Sequence, residues 1–67
     1  MNLQVNGRSV KMEDEEMTIA EILAFYQVQD KVSVVEHNKQ IVKKSDYETK
    51  KIKDNDTLEI IHFVGGG

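Results

Sequence analysis

The chain is 67 residues long and carries nine Lys and Arg against twelve Asp and Glu, a formal net charge of −3, with neither cysteine nor proline. That length holds a single domain of about half the usual size with no room for a deep catalytic pocket, and the lack of cysteine removes disulfides, a thiol nucleophile and zinc–thiolate ligation. The acidic balance leaves no footprint for a phosphate backbone, and no apolar run approaches the ~20 residues that span a bilayer, so the chain reads as a cytoplasmic protein without nucleic-acid or membrane partners.

The first element is a hairpin. Leu3 and Val5 alternate with Asn2, Gln4 and Asn6, and the alternation resumes at Arg8, Val10 and Met12 beyond Asn6-Gly7. Asn-Gly suits the two positive-φ positions of a type I′ turn, whose twist matches that of its strands. Glu13 to Glu16 reads as a solvated loop whose carboxylates favour the positive end of the helix that follows. Thr18-Ile19-Ala20-Glu21 has capping-box spacing, with Met17 and Ile22 placed for a hydrophobic staple. The helix is predicted to run to about Val28, with Ile19, Ile22, Leu23 and Tyr26 in one apolar stripe.

Val32 to Val35 is predicted as a strand, Glu36 to Lys39 as a turn, and Ile41-Val42 as a short strand. Ser45 to Glu48 repeats the capping spacing without apolar periodicity behind it, which predicts a single helical turn pinned to the core by Tyr47. Ile52 belongs to a short edge segment. Asp54-Asn55-Asp56 makes a turn in which Asn55 tolerates a left-handed backbone, and Thr57 to Phe63 forms the last strand.

This order predicts an α+β roll, a mixed sheet of four or five strands with one main helix on one face. With the first and last strands adjacent and parallel at the centre it is the β-grasp, or ubiquitin-like, arrangement. Residues 1–64 form the domain and residues 65–67 a flexible glycine tail.

No catalytic constellation is present. His37 and His62 lack ligand neighbours at helical spacing, so no metal is expected. In the last strand Leu58, Ile60 and His62 share one face, and Thr57, Glu59, Ile61 and Phe63 the other. With Leu58 and Ile60 in the core, Ile61, Phe63 and Val64 form a candidate partner surface on the open face. From Val64 onward the chain reaches about 14 Å past the sheet, and Gly65, Gly66 and Gly67 have no Cβ to block a narrow channel. What such a tail presents is an α-carboxylate. A carboxylate is a poor electrophile until ATP converts it to an acyl adenylate, from which a sulfur or amine nucleophile displaces AMP.

Asp54-Asn55-Asp56 ahead of a β-branched strand, then His62-Phe63-Val64-Gly65-Gly66-Gly67, resembles the ThiS family of sulfur carriers in thiamine biosynthesis. Asn38 to Val42 and Thr18 to Leu23 resemble the family's strand-turn-strand segment and helix start, so the likeness covers essentially the whole chain. It implies a carrier and co-substrate rather than an enzyme, a monomer when free, with no bound cofactor. A ThiF-type adenylyltransferase would use ATP to adenylate Gly67. A persulfide donor such as a cysteine desulfurase would supply sulfur, and the thiocarboxylate would pass it to thiazole synthase, ThiG. Gly66 would be the required neighbour, and Ile61, Phe63 and Val64 the docking residues. Asn55 stands where the family has glycine, and three terminal glycines where two suffice leave either Gly67 or a trimmed Gly66 as the sulfur-bearing residue. The small subunit of molybdopterin synthase, a ubiquitin-like protein modifier and a binding-only module are the competing readings.

Overall fold

The computed structural model describes residues 1–29, 31 and 33–62. Phe63, Val64 and the three terminal glycines lie outside the described residues, as does Val32, the expected first residue of the third predicted strand. The expectations of a domain boundary at Val64 and a flexible tail at 65–67 fall there too.

Strands β1 (Asn2–Val5) and β2 (Arg8–Lys11) form the predicted hairpin, with Asn6 at φ 51 and Gly7 at φ 81 in its turn. β3 (Glu16–Thr18) leads into α1 (Ile19–Phe25), and β4 (Ser33–His37) returns through Asn38-Lys39 into β5 (Gln40–Ile41). A 3₁₀ turn at Lys44–Asp46, β6 (Lys51–Lys53) and β7 (Thr57–His62) follow. The main sheet has five strands in the order β2-β1-β7-β4-β5, while β3 and β6 pair separately. β1 and β7 are parallel, as predicted, and every other pair is antiparallel.

Ile19, Ile22 and Leu23 of α1 pack with Leu3, Val5, Val35, Ile52 and Leu58 in one core, which Tyr47 closes at 2% exposure. The capping box is complete: the Glu21 amide donates to Thr18 Oγ1 at 3.1 Å and the Thr18 amide to Glu21 Oε1 at 2.8 Å. The next unsatisfied amides of the first turn, those of Ile19 and Ala20, donate to the carbonyls of Lys50 and Tyr47. The single turn around Tyr47 thus seats the start of the helix, which explains why so short a helix stands.

Three expectations need correction. The helix stops at Phe25, not Val28, because Gln27 adopts φ 58 and the amides of Gln27 and Val28 donate back to Ala24 and Leu23. That is a Schellman stop built without the glycine that usually marks one. Tyr26, past the stop, leaves the core stripe and sits 36% exposed, its ring edge-on to Phe25. Secondly, the β4–β5 turn is only Asn38-Lys39, at φ 51 and 71, and Glu36 and His37 belong to β4. Thirdly, the acidic segment is not wholly loop: Glu16 opens β3, pairs with Lys53 across to β6, and makes an ion pair with Lys51 at 3.0 Å.

Candidate functional site: the outgoing end of the central strand

β7 lies between β1 and β4, so its backbone is paired on both sides along much of its length. Each neighbouring hairpin extends that grip beyond its own strand by means of a turn asparagine. On the β1 side the Asn6 amide donates to the Leu58 carbonyl, and the Asn6 side chain then bonds both backbone groups of Ile60. On the β4 side the Asn38 amide donates to the Thr57 carbonyl while Asn38 Oδ1 accepts from the Thr57 amide at 2.9 Å. A carboxamide has the donor and acceptor of a peptide group, so each asparagine acts as one further rung of the ladder. The start and the outgoing end of β7 are held independently.

The start is reinforced by charge. His37 Nε2 and Asp56 Oδ2 lie 2.7 Å apart, and the same carboxylate accepts from the Lys53 amide and from Asn38 Nδ2. Burial pushes the Asp56 carboxyl up, but the hydrogen bonds from His37, Lys53 and Asn38, with the charge of His37, outweigh it and hold the group below its ordinary 3.8. Beside this cluster Asn55 adopts φ 70, the left-handed conformation expected where the family has glycine.

At the outgoing end the faces divide as the alternation predicts. Leu58 is fully buried and Ile60 packs against the core, whereas Ile61 is 47% exposed on the opposite face, next to Val34 of β4. Of the residues expected to meet a partner, Ile61 therefore stands on the open face, while Phe63 and Val64 lie outside the described residues, as do Gly65, Gly66 and Gly67. On the helix side, Val5, Arg8, Val10, Tyr26, Ile60 and His62 line an open groove of about 620 Å³ beside the same strand end. Among the described residues no group of three or more His, Asp or Glu side chains is placed to hold a metal, and no helix is long and apolar enough to cross a membrane. The roles of Asn6 and of the His37–Asp56 pair were not apparent from sequence. Asn-Gly signals a turn whatever the side chain does next, and His37 and Asp56 are distant along the chain.

A mixed five-stranded sheet around one helix, with parallel first and last strands at its centre and three glycines following the last strand in sequence, defines a β-grasp protein of the ubiquitin-like class. The sequence matches the ThiS family over residues 2–67, and the chain belongs to that family. It is 46% identical over 65 residues to the sulfur carrier protein ThiS of Bacillus subtilis, covering 97% of this chain and 98% of that one. It is also 37% identical along its whole length to a thiazole synthase of Paramagnetospirillum magneticum, of which it spans 20%. The crystal structure of the thiamine biosynthesis protein ThiS from Geobacter metallireducens superposes over the full length of both chains with a TM-score of 0.87 at 32% identity.

Proposed function

We propose that this chain is the sulfur carrier for thiazole formation in thiamine biosynthesis, acting in the cytoplasm as a co-substrate of partner enzymes. Gly67 presents its α-carboxylate to a ThiF-type adenylyltransferase, which attacks ATP with it and releases pyrophosphate. The terminal sulfur of a persulfide donor displaces AMP from the acyl adenylate, and a thiol reduces the resulting acyl disulfide to release the thiocarboxylate. Thiazole synthase then accepts the sulfur.

The observation that carries this reading is the position of β7. The strand that precedes the glycines is the central one, held on both sides as far as Ile60, so that the residues after it are presented from a rigid base. Rigid presentation of a slender tail is what delivery into another protein's active site requires. The likeness of the whole chain to one-fifth of a thiazole synthase favours thiazole synthase over molybdopterin synthase as the acceptor.

Incubation with the adenylating enzyme, ATP and a persulfide donor is expected to change the intact mass by one oxygen-for-sulfur exchange, mapping to the C-terminal peptide. That peptide also reports whether Gly67 or a trimmed Gly66 carries the sulfur. An unchanged mass, with the enzyme active on another carrier, removes the reading.

A further inference from the structure

The open face of the main sheet is divided. On the β1–β2 side it presents Asn2, Gln4, Ser9, Lys11 and Thr57, all polar. On the other side two rows cross the strands. Ile61 lies opposite Val34, and in the next row Glu59 lies opposite Glu36, which in turn lies opposite Ile41. Directly opposed residues in an antiparallel pair have Cβ atoms about 5 Å apart, and like charges placed so destabilise the sheet.

Among the described residues no basic side chain forms an ion pair with either carboxylate. The ion pairs there are His37–Asp56 and Lys51–Glu16, so neither Glu36 nor Glu59 takes part in one. Around the two carboxylates are Ile61 at 47% and Ile41 at 71% exposure, large aliphatic side chains left in water. Two unpaired anions bordered by exposed isoleucines are complementary to a cation set in an apolar surface. A guanidinium fits best, since its planar fork binds two carboxylates at once and tolerates desolvation better than an ammonium.

We propose that this half of the open face docks thiazole synthase, taking an arginine of that enzyme between Glu36 and Glu59 while apolar side chains beside it cover Ile61 and Ile41. The proposal rests on the sulfur-carrier reading. It commits to the synthase because a domain resembling this whole chain occurs within a thiazole synthase polypeptide, where carrier and acceptor are held together. A separate carrier must obtain that proximity from a surface. The face borders the outgoing end of β7, and the five residues from Phe63 to Gly67 span at most about 17 Å, so a protein receiving the tail must sit against this end of the sheet.

The test measures binding of the full chain to the thiazole synthase of the same organism, alongside the mass assay for thiocarboxylate. Glu36→Gln/Glu59→Gln is expected to weaken binding at least ~10-fold, and raising the salt should weaken wild-type binding more than that of the double variant. Removing the like-charge pair should leave Tm equal or a few degrees higher, which excludes misfolding as the cause, and thiocarboxylate formation should be unchanged. Binding by the double variant within twofold of wild type overturns the proposal. So does lost thiocarboxylation with synthase binding intact, which assigns the face to the adenylating enzyme. Failure of the wild-type chain to form a thiocarboxylate overturns the carrier reading, and it is read from the mass assay alone.

Discussion

The side-chain amide of Asn6 bonds both backbone groups of Ile60, accepting from the Ile60 amide at 2.7 Å and donating to its carbonyl at 3.2 Å. The turn residue of the first hairpin thereby carries the parallel β1–β7 ladder beyond the end of β1. Replacing Asn6 with glycine keeps a residue that tolerates φ 51 but removes both bonds. The expected cost is about 2 kcal/mol, two hydrogen bonds of ordinary net worth, measured by urea denaturation. Loss of amide exchange protection at Ile60, with Thr57 protection retained, would show that the two ends of β7 are held separately.

Asp56 makes stability depend on pH in the acid range. Burial raises its pKa, but the bonds from His37, Lys53 and Asn38 and the charge of His37 leave the folded value below 3.8. A carboxyl with a depressed folded value contributes stability that is fully present above the unfolded value and lost as the pH falls through the folded one. Asp56→Asn is expected to be less stable at neutral pH and to lose less stability than wild type on going from about pH 5 to pH 2. Parallel acid limbs in denaturation curves would contradict the assignment.

The Asn38-Lys39 turn places a lysine at φ 71, where the first hairpin has Gly7 at φ 81. A left-handed backbone costs a residue with a Cβ about 1–2 kcal/mol. Lys39→Gly is expected to stabilise the protein by about 0.5–1 kcal/mol, the gain being reduced by the greater freedom of glycine in the unfolded chain. A rise in Tm measured by calorimetry checks it.

Ile61 is half in water on the open face, so Ile61→Asp should cost about 1 kcal/mol or less in stability. Its effect on partner binding should be much larger, at least ~10-fold in Kd, because an exposed aliphatic residue near the centre of an interface is desolvated only in the complex. Equal losses in both measurements would place Ile61 in the core of the fold instead.

Gly66→Val should abolish thiocarboxylate formation while leaving the denaturation midpoint unchanged, since residue 66 is no part of the core cluster and a branched side chain in the tail obstructs a narrow channel. Normal turnover of the valine variant would remove the tail from the mechanism.

Local chemistry alone was enough for much of the fold. Asn6-Gly7, the Thr18–Glu21 capping box, the left-handed Asn55 and the alternation of Leu58, Ile60 and Ile61 each act over a few residues, and each is found where the sequence places it. The parallel β1–β7 pairing followed from the order of elements, because a hairpin, a crossing helix and a last strand have few ways to share one sheet. The run Gly65-Gly66-Gly67 is read from the sequence alone and lies outside the described residues, so the chemistry expected there rests on composition at one place.

Tertiary structure decided what depends on residues far apart in the chain. Gln27 stops α1 at a left-handed position that its own preferences do not announce, where its amide and that of Val28 turn back to the carbonyls of Ala24 and Leu23. Glu16 becomes a strand residue only because β6 arrives beside it. The His37–Asp56 pair, the Asn6 and Asn38 grips on β7, and the opposition of Glu36 and Glu59 are all matters of register between strands. A shift of one residue would move every side chain to the other face, and that register is set by the burial of Leu58 and Val35 against the helix, which only the packed fold determines.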